Sequence, residues 1–112
     1  MKDMKSILWL AIEDYSGLWE AVWQLRTYTP ETADGVLIER AKTVLERLVA
    51  DDFIRFYRCQ EPYGQLCEVK DTEVSDILSN PRHWEEPAAD AVSIRFGITS
   101  LGQEKYASLG PV

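Results

Sequence analysis

From Gly35 onward, apolar residues recur at steps of three and four. Leu37, Ala41, Val44, Leu45, Leu48 and Val49 form one stripe, while Glu39, Lys42, Thr43, Glu46 and Ala50 face away from it. This pattern predicts a helix over residues 36–50. Asp51 and Asp52 break the period. From Phe53 the chain alternates, with Ile54, Phe56 and Arg58 on one side and Phe53, Arg55 and Tyr57 on the other, and it has the aromatic and β-branched content that strands favour. A strand is therefore predicted over residues 53–59, within two residues of the helix end. Residues 92–98 alternate more cleanly still, Val92, Ile94, Phe96 and Ile98 against Ser93, Arg95, Gly97 and Thr99. The expectation is an α+β domain whose small antiparallel sheet contains both strands. Its core should include Leu18, Val22, Leu37, Ala41, Leu45, Leu48, Ile54, Phe56, Ile94 and Phe96.

The remaining segments are shorter and read as follows. Residues 7–12 are apolar, and Met4, Leu8 and Ala11/Ile12 at helical spacing favour a helix there. Asp14 is placed to cap a second helix carrying Tyr15, Leu18, Trp19, Val22, Trp23 and Leu25/Arg26 on one face. Thr29-Pro30-Glu31 has the residue types of a helix start, but Gly35 follows closely, so a break is expected near Asp34-Gly35. After Cys59, a turn through Gln60-Glu61-Pro62-Tyr63-Gly64 leads to a returning strand over residues 65–69. A hairpin centred on Tyr63 places Cys59 opposite Cys67. Asp71-Thr72 caps a short helix with Val74, Ile77 and Leu78 on one face, and Asn80-Pro81 closes it and opens a turn through Trp84. Residues 85–89 read as loop. Ser100 with Gln103 forms a capping box for a last helix, docked by Leu101, Tyr106 and Leu109.

Three runs resemble winged helix-turn-helix regulators of the MarR and PadR type. VLERLVADDFIRFY is similar to the LxxLxxxGLI run that ends their third helix and begins the wing, with Asp52 where those proteins usually have Gly. IRFGITSLGQEKY is similar to their returning wing strand and the helix that LT-x-x-G opens. Ser16-Gly17-Leu18-Trp19-Glu20 is similar to the SGYEL element that starts the second helix of PadR-type proteins. The resemblance implies a single winged helix-turn-helix domain over residues 1–112, a helical core with a small antiparallel β-sheet. It implies a DNA-binding transcriptional regulator that pairs as a homodimer through terminal helices. The helix over residues 36–50 would lie in the major groove, with Arg40, Lys42, Thr43 and Arg47 reaching the DNA and Arg55 and Arg58 as further phosphate contacts. One departure is large: the stretch between the two main strands holds a helical insertion, and Glu61, Glu68, Asp71, Glu73, Asp76, Glu85 and Glu86 make it acidic. A minor-groove wing needs a slim basic hairpin, which this insertion is not.

Charge changes the picture further. Nineteen acidic and twelve basic side chains give a net charge of −7, the wrong sign for a protein that neutralises phosphates, although a local basic patch is compatible with it. The apolar run at residues 7–12 is too short for a secretory core or a membrane span, so a cytoplasmic location is expected and no membrane partner. In that compartment Cys59 and Cys67 read as packed thiols, although a cross-strand pair would lie about 4.5–5.5 Å apart at Cα, within disulfide reach. His83 is the single histidine. Cys59, Cys67 and His83 lack the paired short spacings of a zinc site, and neither metal nor cofactor is expected. No phosphate-cradling glycine loop occurs, and the paired carboxylates at residues 13–14, 51–52 and 85–86 are adjacent and diverge; catalytic activity is not expected. Trp9, Trp19 and Trp23 read as core, with a planar-ligand pocket as the alternative. Two functions compete: a DNA-binding regulator, and a winged-helix protein-interaction module whose acidic surface meets a basic or apolar protein partner.

Overall fold

The computed structural model describes residues 2–61, 64–89 and 91–109. In chain order these form α1 (Lys2–Glu13), β1 (Ser16–Gly17), α2 (Leu18–Tyr28), α3 (Asp34–Ala50), β2 (Ile54–Gln60), β3 (Leu66–Glu68), α4 (Asp71–Ser79), a 3-10 turn (Pro81–Trp84), β4 (Val92–Ile98) and α5 (Ser100–Ser108). The four strands make one antiparallel sheet in the order β1-β4-β2-β3. One face of it, through Ile54, Phe56, Ile94 and Phe96, packs against the buried sides of α1, α2 and α3. All ten residues expected in the core are buried.

The abrupt change from α3 to β2 has a local cause. The Phe53 N–H donates to Leu48 O (2.9 Å) and the Asp52 N–H to Val49 O (3.0 Å), the paired bonds of a Schellman ending. Such an ending needs one left-handed residue, and Asp52 supplies it with φ of 61°. Thr99 then ties this corner to the far end of the chain, its hydroxyl donating to Asp52 O (2.6 Å) and its N–H to Phe53 O (3.0 Å). Gly102 completes the contact. A Cβ there would come within 2.0 Å of Phe53 O, so only glycine allows α5 this close.

Several local expectations are corrected. Asp14 does not cap α2; its carboxylate accepts from the adjacent Tyr15 N–H, and Ser16–Gly17 is a strand paired with Phe96 and Arg95. Helix α2 starts at Leu18, where the Glu20 carboxylate accepts from the Gly17 N–H (3.1 Å), and Tyr15 and Trp23 are exposed rather than on a buried stripe. Thr29 ends α2 instead of starting a helix, its N–H reaching back to Leu25 O and Arg26 O, while the break does fall near Asp34-Gly35 as expected, with α3 beginning at Asp34. The N-cap of α4 is Lys70 and that of α5 is Thr99, whose hydroxyl accepts from the Gly102 N–H (2.9 Å). Leu101 is exposed, while Tyr106 and Leu109 do pack on the core.

The hairpin is also one residue out of the expected register. Cys59 pairs with Leu66, and Cys67 with Arg58; the apex at Tyr63 lies outside the described residues. Directly paired residues share a face, so Cys59 and Cys67 point to opposite sides of the sheet, one buried and one exposed. They form neither a clasp nor, with His83, three ligands of one ion. The insertion between β2 and β4 does not stand away from the body as a slim wing. Val74, Ile77, Leu78 and Trp84 are buried in the common core, and the Trp84 indole N–H donates to Leu78 O (3.0 Å). Among the described residues no helix is long and apolar enough to cross a membrane.

Candidate nucleic-acid interface

Helices α2 and α3, joined by residues 29–33, place α3 with one side in the core and the other in solvent. The burial of Leu37, Ala41, Leu45 and Leu48 decides what that outer side carries: Asp34, Val36, Glu39, Thr43, Glu46, Arg47 and Ala50 are exposed. Three of these are acidic and one is basic. A major-groove helix would need the reverse.

The six candidate contacts do not share one surface. Arg40 turns away from the outer side of α3, and its guanidinium donates to both oxygens of Asp3 on α1 (2.8 and 3.1 Å) and to the Thr29 hydroxyl (3.2 Å). The hydrogen bond that Arg40 donates to Asp3, opposed by partial burial, raises the Arg40 pKa above its ordinary value. Lys42 is held by Glu39 one turn earlier (3.2 Å), and the Thr43 hydroxyl donates to Glu39 O (3.0 Å). Arg47 pairs with Asp51 (3.0 Å). On β2, Arg55 lies between Asp52 (3.5 Å) and Glu68 (3.4 Å), whose charges raise its pKa. Arg58, three residues on, points to the other side of the sheet. There it meets Glu73 of α4 (3.0 Å) and by that hydrogen bond lowers the Glu73 pKa.

Each of the five cations among the six therefore has a carboxylate partner. An exposed pair contributes no more than about 1 kcal/mol, so phosphate is not excluded by pairing alone. What opposes it is the carboxylate left beside the incoming phosphate, and the smaller counterion release from a cation already neutralised.

A second polar constellation was not visible in the sequence. On the sheet face opposite Phe56 and Phe96, Glu61 Oε1 accepts from the Ser93 hydroxyl (2.6 Å) and from Arg95 Nη2 and Nε (2.6 and 3.0 Å). Arg95 Nη1 also donates to Tyr15 O (2.9 Å), approaches Glu20 (3.5 Å), and its guanidinium lies 5.3 Å from the Trp19 ring centre. Burial works against the charge on Arg95, but its bond to Glu61 and that carboxylate's charge outweigh it, and its pKa is raised. Glu61 thus belongs to the interior and not to the acidic surface of the insertion. Its partner lies 34 residues away, and the alternation of β4 shows only that Ser93 and Arg95 share a face.

Among the described residues, Trp9, Trp19 and Trp23 line no common pocket. Trp19 is 6% exposed against the Arg95 guanidinium, whereas Trp9 and Trp23 are 42% and 49% exposed. Comparison with protein families, characterised proteins and solved structures finds no match to this chain.

Proposed function

We propose that this chain is a non-catalytic winged-helix module that binds a protein partner in preference to duplex DNA. The observation that carries this reading is the charge on the outer side of α3: Arg26 and Lys42 offset Asp34 and Glu39, Asp51 offsets Arg47, and Glu46 has no cation partner among the described residues, so the helix offers phosphate no surplus of positive charge. The winged-helix part is supported by three helices with a short strand after the first, a strand pair after the third, and β4 lying between β1 and β2. The preference for protein is supported by the pairing of Arg40, Lys42, Arg47, Arg55 and Arg58 with carboxylates. An acidic helix face suits a basic partner surface, and like-charge repulsion turns phosphate away. The DNA-regulator reading keeps one favourable observation, the packing of α2 on α3 across the short connection at residues 29–33.

Anisotropy of a labelled mixed-sequence duplex, titrated at two salt concentrations, separates the two. The expected outcome is no saturable binding at ~100 µM protein and physiological salt, weaker than ordinary non-specific affinity. Binding with a steep negative salt slope overturns the proposal. In that case Lys42→Ala and Arg47→Ala should each flatten the slope by about one phosphate, whereas Arg40→Ala, which removes a side chain turned toward Asp3, and Arg82→Ala should not. For the protein partner, capture from native lysate should be lost with the double change Glu39→Lys and Glu46→Lys, a charge reversal confined to the outer side of α3.

A further inference from the structure

The insertion builds a concavity that α2 and β4 alone would not enclose. Its 3-10 turn and following loop stand over α2 and β4 and leave a cleft of about 410 Å³, within the range of small-ligand sites. The floor is about half apolar: Trp19 and Ile94 are buried beneath it, and Pro87, Ala88, Ala91 and the exposed Val92 supply its apolar surface. Arg82, Glu85 and Glu86 supply the charge around this floor. His83 adds none at neutral pH, since burial and the nearby Arg58 lower its pKa from the ordinary 6.5.

Arg82 differs from every other arginine in the chain. Of the seven, Arg26, Arg40, Arg47, Arg55, Arg58 and Arg95 each hold a carboxylate, whereas Arg82 has no ion-pair partner among the described residues. Glu85 and Glu86 line the same cleft and likewise lack an ion-pair partner there. Charges of both signs therefore surround this floor without neutralising one another. A simple anion reaching Arg82 would meet two carboxylates, and a simple cation reaching them would meet a guanidinium. A ligand with one charge of each sign and an apolar body satisfies all three groups.

We infer that this cleft binds a free α-amino acid with a large apolar side chain. The carboxylate takes the Arg82 fork, which matches it with two parallel bonds. The ammonium takes Glu85 or Glu86, and the side chain lies against Pro87, Ala88 and Val92. The inference is independent of what α3 meets.

The probe is L-phenylalanine, added to the full chain and followed by two-dimensional amide NMR. Saturable shifts at Ala88, Val92 and Ser93 are expected, with a Kd of ~1 mM for so small a ligand in an open site. Phenylalanine amide lacks the carboxylate, N-acetyl-phenylalanine lacks the ammonium, and glycine lacks the apolar body; each should bind at least about tenfold more weakly, the loss of one charge-assisted contact or of the buried side chain. Arg82→Ala should weaken phenylalanine by a similar factor. Its side chain is exposed and makes no ion pair among the described residues, and an unchanged spectrum elsewhere reports that the variant is folded. Absence of shifts at ~20 mM phenylalanine, where a millimolar site is saturated, overturns the inference. So does equal affinity for either blocked derivative, or full affinity in Arg82→Ala.

Discussion

A half-buried imidazole is easier to hold neutral than charged, and this gives His83 a measurable effect on stability. Its folded-state pKa is lowered, first by burial and then by the charge of Arg58. Between that lowered value and the ordinary 6.5, the unfolded chain binds more proton than the folded one. Stability from this residue is therefore complete above pH 6.5 and declines as pH falls through the folded value. Melting temperatures of the parent and of His83→Gln, measured from pH 8 to pH 5, should run parallel above 6.5 and converge or cross below it. Parallel curves throughout would contradict the assignment. Pairings at this scale were the least legible in the sequence. The composition shows seven arginines and nineteen carboxylates, but only the tertiary fold brings Arg40 to Asp3, 37 residues away, or Arg95 to Glu61, 34 away. Arg58 reads as a wing cation by position. Its salt bridge to Glu73 requires knowing that α4 packs at that end of β2.

At the scale of elements, the corner between α3 and β2 is a Schellman ending with an aspartate at its left-handed position. Asp tolerates that conformation better than other non-glycine residues, but still at a cost that glycine lacks. Asp52→Gly should therefore leave stability unchanged or raise it by up to about 1 kcal/mol, whereas Asp52→Ala should lower it by about 1 kcal/mol, read as a shift in urea midpoint at constant slope. Loss of the exposed contact to Arg55 is common to both variants and small. An Asp52→Gly protein clearly less stable than Asp52→Ala would rule out this account of the corner. Long periodic elements were legible: α3, β2 and β4 each carry enough residues for a period of 3.6 or 2 to declare itself. The two-residue strand Ser16–Gly17 has no period to read and falls inside the helix that Asp14 is expected to cap. The β2–β3 register differs by one from the expected pairing because turn length alone sets Cys59 against Cys67, and the composition of the turn does not require an apex at Tyr63.

For the molecule as a whole, α1 bears on the homodimer expected from the sequence. Its inner side, through Ile7, Leu8 and Ala11, is in the core, yet Trp9 and Ile12, three residues apart on the outer side, are 42% and 40% exposed. Lys2 and Lys5 lie at the start of the helix, and Glu13 and Asp14 at its end. A parallel partner would set like charges together. An antiparallel second copy, related by a two-fold axis near Trp9 and Ile12, would set each basic end beside an acidic one and cover both apolar side chains, the self-complementary arrangement a two-fold interface requires. Sedimentation at ~100 µM is then expected to show a dimer, and Trp9→Glu a monomer, since a central tryptophan in such a contact contributes about 2 kcal/mol or more, roughly a thirtyfold change in Kd. The acidic outer side of α3 is a different surface, so Glu39→Lys with Glu46→Lys should leave the dimer intact while abolishing partner capture. A parent chain that sediments as a monomer at that concentration would end the dimer reading and leave Trp9 and Ile12 as ordinary exposed apolar residues.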